Sequence, residues 1–423
     1  MNRSRYKWYV VGMLWLISFF DFADRQGVFS LFPLLEKEMR LTPVQLGLLG
    51  SAFAWLYGLG APFAGYAVDR IRRKPAVLGG LYAWSVVTIF TPISRSFHHL
   101  FAFMAAEGIA ETIYVPSAMS MISDYHGKAT RSRAMGIHQT SVYAGTIGGG
   151  FLAGLVGENY GWRWSFIMLG GLGLIVGLIL LGLLREPERG AADWADDCTH
   201  AQTPAADRTP FVTSGKLILG TPSAVLLMGA FLCANFVALV LLSWMPKFLY
   251  DKFHMSLAMA GLSATLFAQV ASMVGSPLGG WLADGLRRRF AGGRVLVQAI
   301  ALFCGAPFVF LCGRARSVGL VVVTLTLWGL LKGLYDANIF ASVFDVVPLS
   351  VRGTTAGFMN MMGWLGGGAA PVVVGFMAQR IGASRAISLS SLVYVAAGLL
   401  LTVSLTMFPR HDIAHATLPM ASH

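Results

Sequence analysis

The sequence predicts an all-α membrane protein with twelve transmembrane helices in two pseudo-symmetric six-helix bundles. Three observations predict it. Of 423 residues, 56% are hydrophobic and only 12% are charged, about half the charged share of an ordinary soluble domain. Apolar runs near 20 residues recur from end to end with polar punctuation between them, which is the length that crosses a bilayer core as a helix. Features of the first half return in the second at fixed spacing, which implies internal structural symmetry.

The spans read as 8–32, 44–68, 76–94, 99–122, 134–157, 164–184, 218–245, 258–283, 294–312, 317–345, 354–378 and 385–408. The start, MNRSRYKWYVVGMLWLISFF, has the basic head and apolar stretch of a signal peptide. No small-x-small cleavage site follows, and Asp21 comes next, so it reads as an uncleaved first span. Residues 1–184 form the first bundle. Residues 185–217, REPERGAADWADDCTHAQTPAADRTPFVTSGKL, are polar and lack an apolar period, so they read as a cytoplasmic linker. The second bundle is 218–409, and 410–423 is a cytoplasmic tail.

The net charge is +12. With the N-terminus inside, the inner segments hold 20 of the 32 Lys and Arg. That bias places both termini in the cytoplasm of a plasma (inner) membrane. The basic charge is then topogenic and needs no nucleic-acid partner. Cys198, Cys233, Cys304 and Cys312 show no metal or disulfide spacing and read as free thiols. No Gly-rich phosphate loop, metal triad or nucleophile elbow is present. The chain therefore reads as no enzyme, with no cofactor and no metal, and any uphill movement of a solute would draw on an ion gradient.

The repeat is specific. The loop 65-GYAVDRIRRK-74 follows the second span and 280-GWLADGLRRR-289 follows the eighth, 215 residues apart. Asp124, Arg131, Gly136 and Gly145 return as Asp345, Arg352, Gly357 and Gly366, each 221 residues on. Both loops resemble the inter-helix signature G-x-x-x-D-R-x-G-R-R of the major facilitator superfamily, and the resemblance covers all twelve spans. Arg72 stands where the signature has glycine, and Gly285 where the second copy would have its first arginine. The resemblance implies secondary transport by alternating access. It makes Gly65, Asp69, Arg70, Arg73, Asp284 and Arg288 the gating residues, with Asp69 midway between Gly65 and Arg73 to order a charged cluster.

The stretches 108-GIAETIYVPSA-118, 161-GWRWSF-166, 244-WMPKFLY-250 and 352-RGTTAGFMNMMGWLGG-367 are similar to the anion:cation symporter group. That likeness implies an organic anion carried with protons. Met104 stands where that group has an arginine seven residues before the span-four glutamate. Asp-Arg in span one with a glutamate in span four also occurs in the Spinster lipid transporters, the second resemblance.

Charged side chains inside spans cost about 2.5–3.5 kcal/mol each on insertion scales, so those present face a bundle interior or a water cavity. Asp24 lies roughly 12 Å and Glu111 roughly 16 Å inside their spans at the helical rise, so the two share a layer. Asp21 and Arg25 are four apart and can form a buried ion pair. Alternatively, Arg25 is a cavity-facing guanidinium that grips a carboxylate in two places. Glu107 and Glu111 are also four apart, and two close carboxylates in a low dielectric cannot both ionise cheaply. Asp24, Glu107 and Glu111 are the candidate proton carriers, against the plainer reading of a neutral acid bonded to a neighbouring helix.

Lys332, the repeat counterpart of Glu111, is a candidate second anion contact, or a local pair with Asp336. Asn235, Asn338 and Asn360, with Tyr57 and Tyr114, are candidate wall residues of a central cavity. Each is also open to a packing role. The glycine runs 145-GTIGGG-150 and 366-GGG-368 read as helix-approach or sliding surfaces. The expected function is proton-coupled symport of a small organic anion such as a carboxylate, by a monomer in the lipid bilayer. One alternative is export of an amphiphile such as a lysolipid or drug by proton antiport. Another is a non-transporting membrane sensor.

Overall fold

The computed structural model describes residues 3–68, 70–127, 130–188, 211–290, 292–348 and 351–416. Asp69, Cys198, most of the linker and the end of the tail lie outside the described residues. The regular elements among the described residues are all helical. The first half holds α1 (Arg3–Ser30), α2 (Phe32–Met39), α3 (Pro43–Val68), α4 (Arg73–Phe90), α5 (Phe97–Glu111), α6 (Tyr114–Tyr125), α7 (Arg131–Tyr160) and α8 (Trp162–Leu183). The second holds α9 (Phe211–Leu219), α10 (Pro222–Phe253), α11 (Leu257–Arg287), α12 (Gly293–Arg314), α13 (Val318–Asp336), α14 (Ile339–Val346), α15 (Arg352–Ile381), α16 (Ala383–Leu389) and α17 (Ser391–Ala416).

These segments fall on the twelve expected spans. The fourth span is broken after Glu111 into α5 and α6, and the tenth after Asp336 into α13 and α14. Among the described residues, nine segments are long and apolar enough to cross a membrane. The segments that fall short are α1, α5 with α6, and α7. Two of these carry Asp21, Asp24, Arg25, Glu107 and Glu111, and the third packs its glycines on α1. Polar cost is thus concentrated in α1 and α5.

The repeat extends to the backbone. Ser96 caps α5 by accepting from the His99 N–H at 3.4 Å, and Ser317, 221 residues on, caps α13 through the Leu320 N–H at 3.3 Å. Gly161 closes α7 at φ 91°, and Gly382, again 221 on, closes α15 at φ 83°. Side chains other than glycine rarely adopt that conformation.

Two compact units result. One comprises Met1–Gln202, Leu239–Leu266 and Gly368–Ala383. The other comprises Thr203–Ala238, Phe267–Gly367 and Ser384–His423. Within the first unit, two apolar clusters flank the charged layer of α1. One gathers Val10, Leu14, Ile17, Trp84, Tyr114 and Leu180. The other gathers Leu31, Phe32, Leu49, Leu100, Met104 and Trp162. The layer between them is buried, which strengthens the electrostatic contacts in it.

Helix α7 holds that layer in place. A Cβ on Gly145 would lie 2.4 Å from the Phe19 carbonyl oxygen, and one on Gly149 would lie 2.1 Å from that of Ala23. The first glycine run is therefore a backbone-to-backbone seat for α1. Gly149→Ala is expected to reduce the yield of folded protein sharply in size-exclusion chromatography, because the overlap falls on backbone. Gly171→Ala, with open space at its Cβ, should fold as well as the wild type.

His126 ends α6 and is buried. Its Nε2–H donates to the Lys7 carbonyl at 3.1 Å, which leaves Nδ1 to accept from the Thr130 hydroxyl at 3.1 Å. Burial lowers its pKa below the ordinary imidazole value, and the hydrogen bond to Lys7 only partly opposes this. The folded state therefore holds His126 neutral while the unfolded chain gains a proton below pH about 6.5. The melting temperature in detergent should fall as pH drops through 6, and His126→Gln should flatten that dependence.

Candidate functional site

The site is built on one turn of α1. Asp21 and Asp24 are fully or almost fully buried, and the Arg25 side chain is 8% exposed. Arg25 reaches two carboxylates. One guanidinium nitrogen lies 3.0 Å from Asp21 Oδ2, and Nε donates to Glu111 Oε2 on α5. Three aromatic faces enclose the same guanidinium: Phe22 at 4.5 Å, Tyr57 at 4.6 Å and Phe53 at 5.1 Å. An arginine among π-faces keeps its charge with less hydration than a lysine would need.

The pair with Asp21 exists, and the guanidinium also spans to a second helix. Asp24 points elsewhere. Its Oδ2 accepts from the Thr88 hydroxyl of α4 at 2.5 Å, and the same hydroxyl lies 3.5 Å from Glu107 Oε1. One carboxylate oxygen each from Asp24, Glu107 and Glu111 lie within 4.8 Å of one another. Asp24 Oδ1 and Glu111 Oε1 are buried without a hydrogen-bond partner. Four carboxylates around one guanidinium cannot all be ionised in a buried layer, so protons must be shared among them. The three-oxygen set is also where a cation would sit, with the Arg25 charge opposing it.

The other predicted contacts fall as follows. Tyr57 stands in the site. The Tyr114 hydroxyl instead donates to the Leu14 carbonyl at 2.6 Å and lies 3.1 Å from His138 Nε2, a packing position. In the second half, Asn235 and Asn338 each donate to the carbonyl four residues before them, Phe231 and Leu334, at 2.9 Å. Lys332 pairs with Asp336, and Asn360 is exposed. Sequence reasoning missed Thr88, Phe22 and Phe53. A hydroxyl or phenyl in an apolar span carries no signal of its own, and only packing brings them to Arg25 and Asp24.

The gating residues regroup. Arg73 bonds Asp124 at 3.1 Å and the Val68 carbonyl at 2.8 Å. The equivalent contact in the second half joins Arg294 to Asp345 at 2.9 Å, and both residues lie 221 further on. Arg131 reaches the Ser123 carbonyl at 3.4 Å and Arg352 that of Phe344 at 2.8 Å, at the same offset. Asp284 pairs with Arg294 at 3.0 Å, and Arg287 with Asp345 at 2.9 Å. Arg288 is exposed, so Arg294 is the structural counterpart of Arg73. The six-residue difference between the two repeat offsets hid this. Gly65 is half-buried with open space at its Cβ, and Arg70 is exposed. Asp124→Asn is expected to lower the melting temperature, and Arg73→Gln with Asp124→Asn should lower it less. Leaving one half-buried charge unpaired costs more than removing both.

A repeated pair of helical bundles with a buried charged layer in one of them is the architecture of an integral membrane transporter, not an enzyme. A model of the Major Facilitator Superfamily matches residues 14–371. The chain belongs to that superfamily. It is 24% identical over 424 residues to the probable galactarate/D-glucarate transporter GudP of Escherichia coli K12, covering 95% of this chain and 93% of that protein. It is 26% identical over 415 residues to the D-galactonate transporter of Escherichia coli O6:H1, covering 93% of each. Among solved structures, a bacterial homolog of the human lysosomal transporter Spinster, inward-facing and unoccupied, matches with a TM-score of 0.80. The identity there is 22%, over 96% of this chain and 97% of that one.

Proposed function

We propose that this protein is a proton-coupled symporter of a small sugar-acid anion. It works by alternating access as a monomer in the plasma (inner) membrane, with both termini cytoplasmic. The observation that carries the reading is the bond from Arg25 on α1 to Glu111 on α5. A proton placed on Glu111 removes one of the two charges that hold the guanidinium and leaves it paired with Asp21 alone. Arg25 is then able to take a substrate carboxylate through two parallel N–H donors. Proton and anion thus enter together, and neither is favoured alone. Asp24 and Glu107, bridged by Thr88, pass the proton to or from Glu111. Tyr57 lines the anion's seat. The Arg73–Asp124 and Arg294–Asp345 pairs act as gates. The sugar-acid names of the relatives support this substrate class.

The test is uptake into proteoliposomes of radiolabelled D-galactonate and D-glucarate, with and without an inward proton gradient. Accumulation that needs the gradient supports the proposal. Equal uptake with and without it removes the coupling. A second reading, export of a lysolipid or similar amphiphile by proton antiport, is favoured by the likeness to the Spinster homolog. Lysophospholipid efflux from the same vesicles would replace the first reading with this one. Absence of either flux with retained ligand binding would leave a sensor.

A further inference from the structure

A groove of about 460 Å³ runs along the outside of the first unit between α1 and α8, away from the charged layer. Its walls are Trp8, Gly12, Met13 and Leu16 on one side and Ile179 and Leu183 on the other. The lining is almost wholly apolar, and Ile179 and Leu183 are each 56% exposed. Gly12 forms an open stretch of the wall, since a Cβ there would meet nothing within 4 Å. The groove runs toward the end of α1 that carries the N-terminus, and two exposed arginines stand at that end. Arg133 lies over the Trp8 ring at 5.4 Å. Arg185 lies over the Tyr6 ring at 5.1 Å, and the Tyr6 hydroxyl is bonded to the Leu183 carbonyl at 2.8 Å. Arg5, also exposed, adds a third positive charge on the same turns of α1.

The nearby carboxylates leave these arginines their charge. Glu186 is turned to the backbone N–H groups of Arg73 and Lys74, at 2.8 and 2.9 Å. Glu188 is exposed to solvent. An apolar trough ending in fixed guanidinium groups matches a molecule with a long hydrocarbon chain and an anionic head. We infer that this groove binds an anionic phospholipid, with one acyl chain along Gly12, Leu16 and Ile179 and its phosphate between Arg133 and Arg185. Aromatic rings at headgroup depth hold the two guanidinium groups in place, and basic pockets between spans at a membrane face recognise such heads. The site is separate from the Arg25 layer and does not depend on what that layer transports.

The experiment is native mass spectrometry of the purified full chain with phosphatidylglycerol or phosphatidylcholine of the same acyl composition. The wild type should retain phosphatidylglycerol preferentially. Arg133→Gln with Arg185→Gln should remove that preference, by about fivefold for each arginine near the surface. Gly12→Phe fills the trough and should reduce retention of both lipids. Ile179→Trp, from the opposite wall, should do the same and serves if the first variant fails to fold. Equal retention of the two lipids by the wild type would overturn the inference. So would a phosphatidylglycerol preference that survives loss of both arginines, or retention unaffected by filling the groove.

Discussion

Replacing Glu111 by glutamine is expected to abolish proton-driven accumulation while sparing exchange. Glutamine keeps the shape and an oxygen for the Arg25 Nε–H, but it can neither gain nor lose the proton that switches the pair. An inward gradient of one pH unit is worth about 1.4 kcal/mol, or about tenfold accumulation for one proton carried per anion. The wild type should approach that ratio and Glu111→Gln should stop at unity. Counterflow of labelled for unlabelled substrate should continue, since it needs no net proton release. Uphill uptake at the wild-type level in the variant would take Glu111 out of the mechanism. Glu107→Gln separates the relay from the switch. It should slow proton-driven uptake without abolishing it, because Asp24 and Thr88 still reach the cluster.

The second large effect falls on Arg25. Arg25→Ala strands Asp21 and Glu111, both fully buried, and breaking a buried ion pair on one side costs about 3–5 kcal/mol. The melting temperature should drop and transport should cease. Arg25→Gln combined with Glu111→Gln strands Asp21 alone, so it should recover part of the thermal stability and none of the transport. Arg25→Lys keeps the charge but loses the planar fork, and the shorter ammonium cannot hold Asp21 and Glu111 together. Substrate affinity should weaken by about 1.5–3 kcal/mol, the worth of a charged hydrogen bond. Unchanged affinity in Arg25→Lys would leave Arg25 a purely structural brace.

The spans, the repeat and the charged layer were legible because each is written along the chain. Apolar length marks a span, a fixed offset marks a repeat, and an acidic or basic side chain in an apolar run is costly enough to mark a function. Partner choice between helices was not legible. Spacing of four residues reveals Asp21 beside Arg25, but nothing in the sequence says that Glu111 completes the pair or that Thr88 takes Asp24. Those contacts arise from how closely α1 seats on α7 and how α5 lies against it. The Arg294–Asp345 pair was obscured for a different reason. The loop motif aligned Arg288 with the first copy, while the fold uses Arg294, because six more residues separate Asp284 from Arg294 than separate Asp69 from Arg73. Tyr114 read as a candidate wall residue, yet the helix breaks between it and Glu111 and its ring lies in the apolar cluster.

The buried cluster on α1 is built around one guanidinium, that of Arg25. A single fixed positive charge sets a limit on electrical work. With one proton per cycle, a monocarboxylate such as galactonate crosses with no net charge, and the membrane voltage neither helps nor hinders it. A dicarboxylate such as glucarate would carry one negative charge inward against an interior-negative potential. That costs about 2.3 kcal/mol for every 100 mV, roughly a fiftyfold handicap at 100 mV. Voltage alone would thus sort the two kinds of sugar acid, with no difference in how tightly the site holds either one.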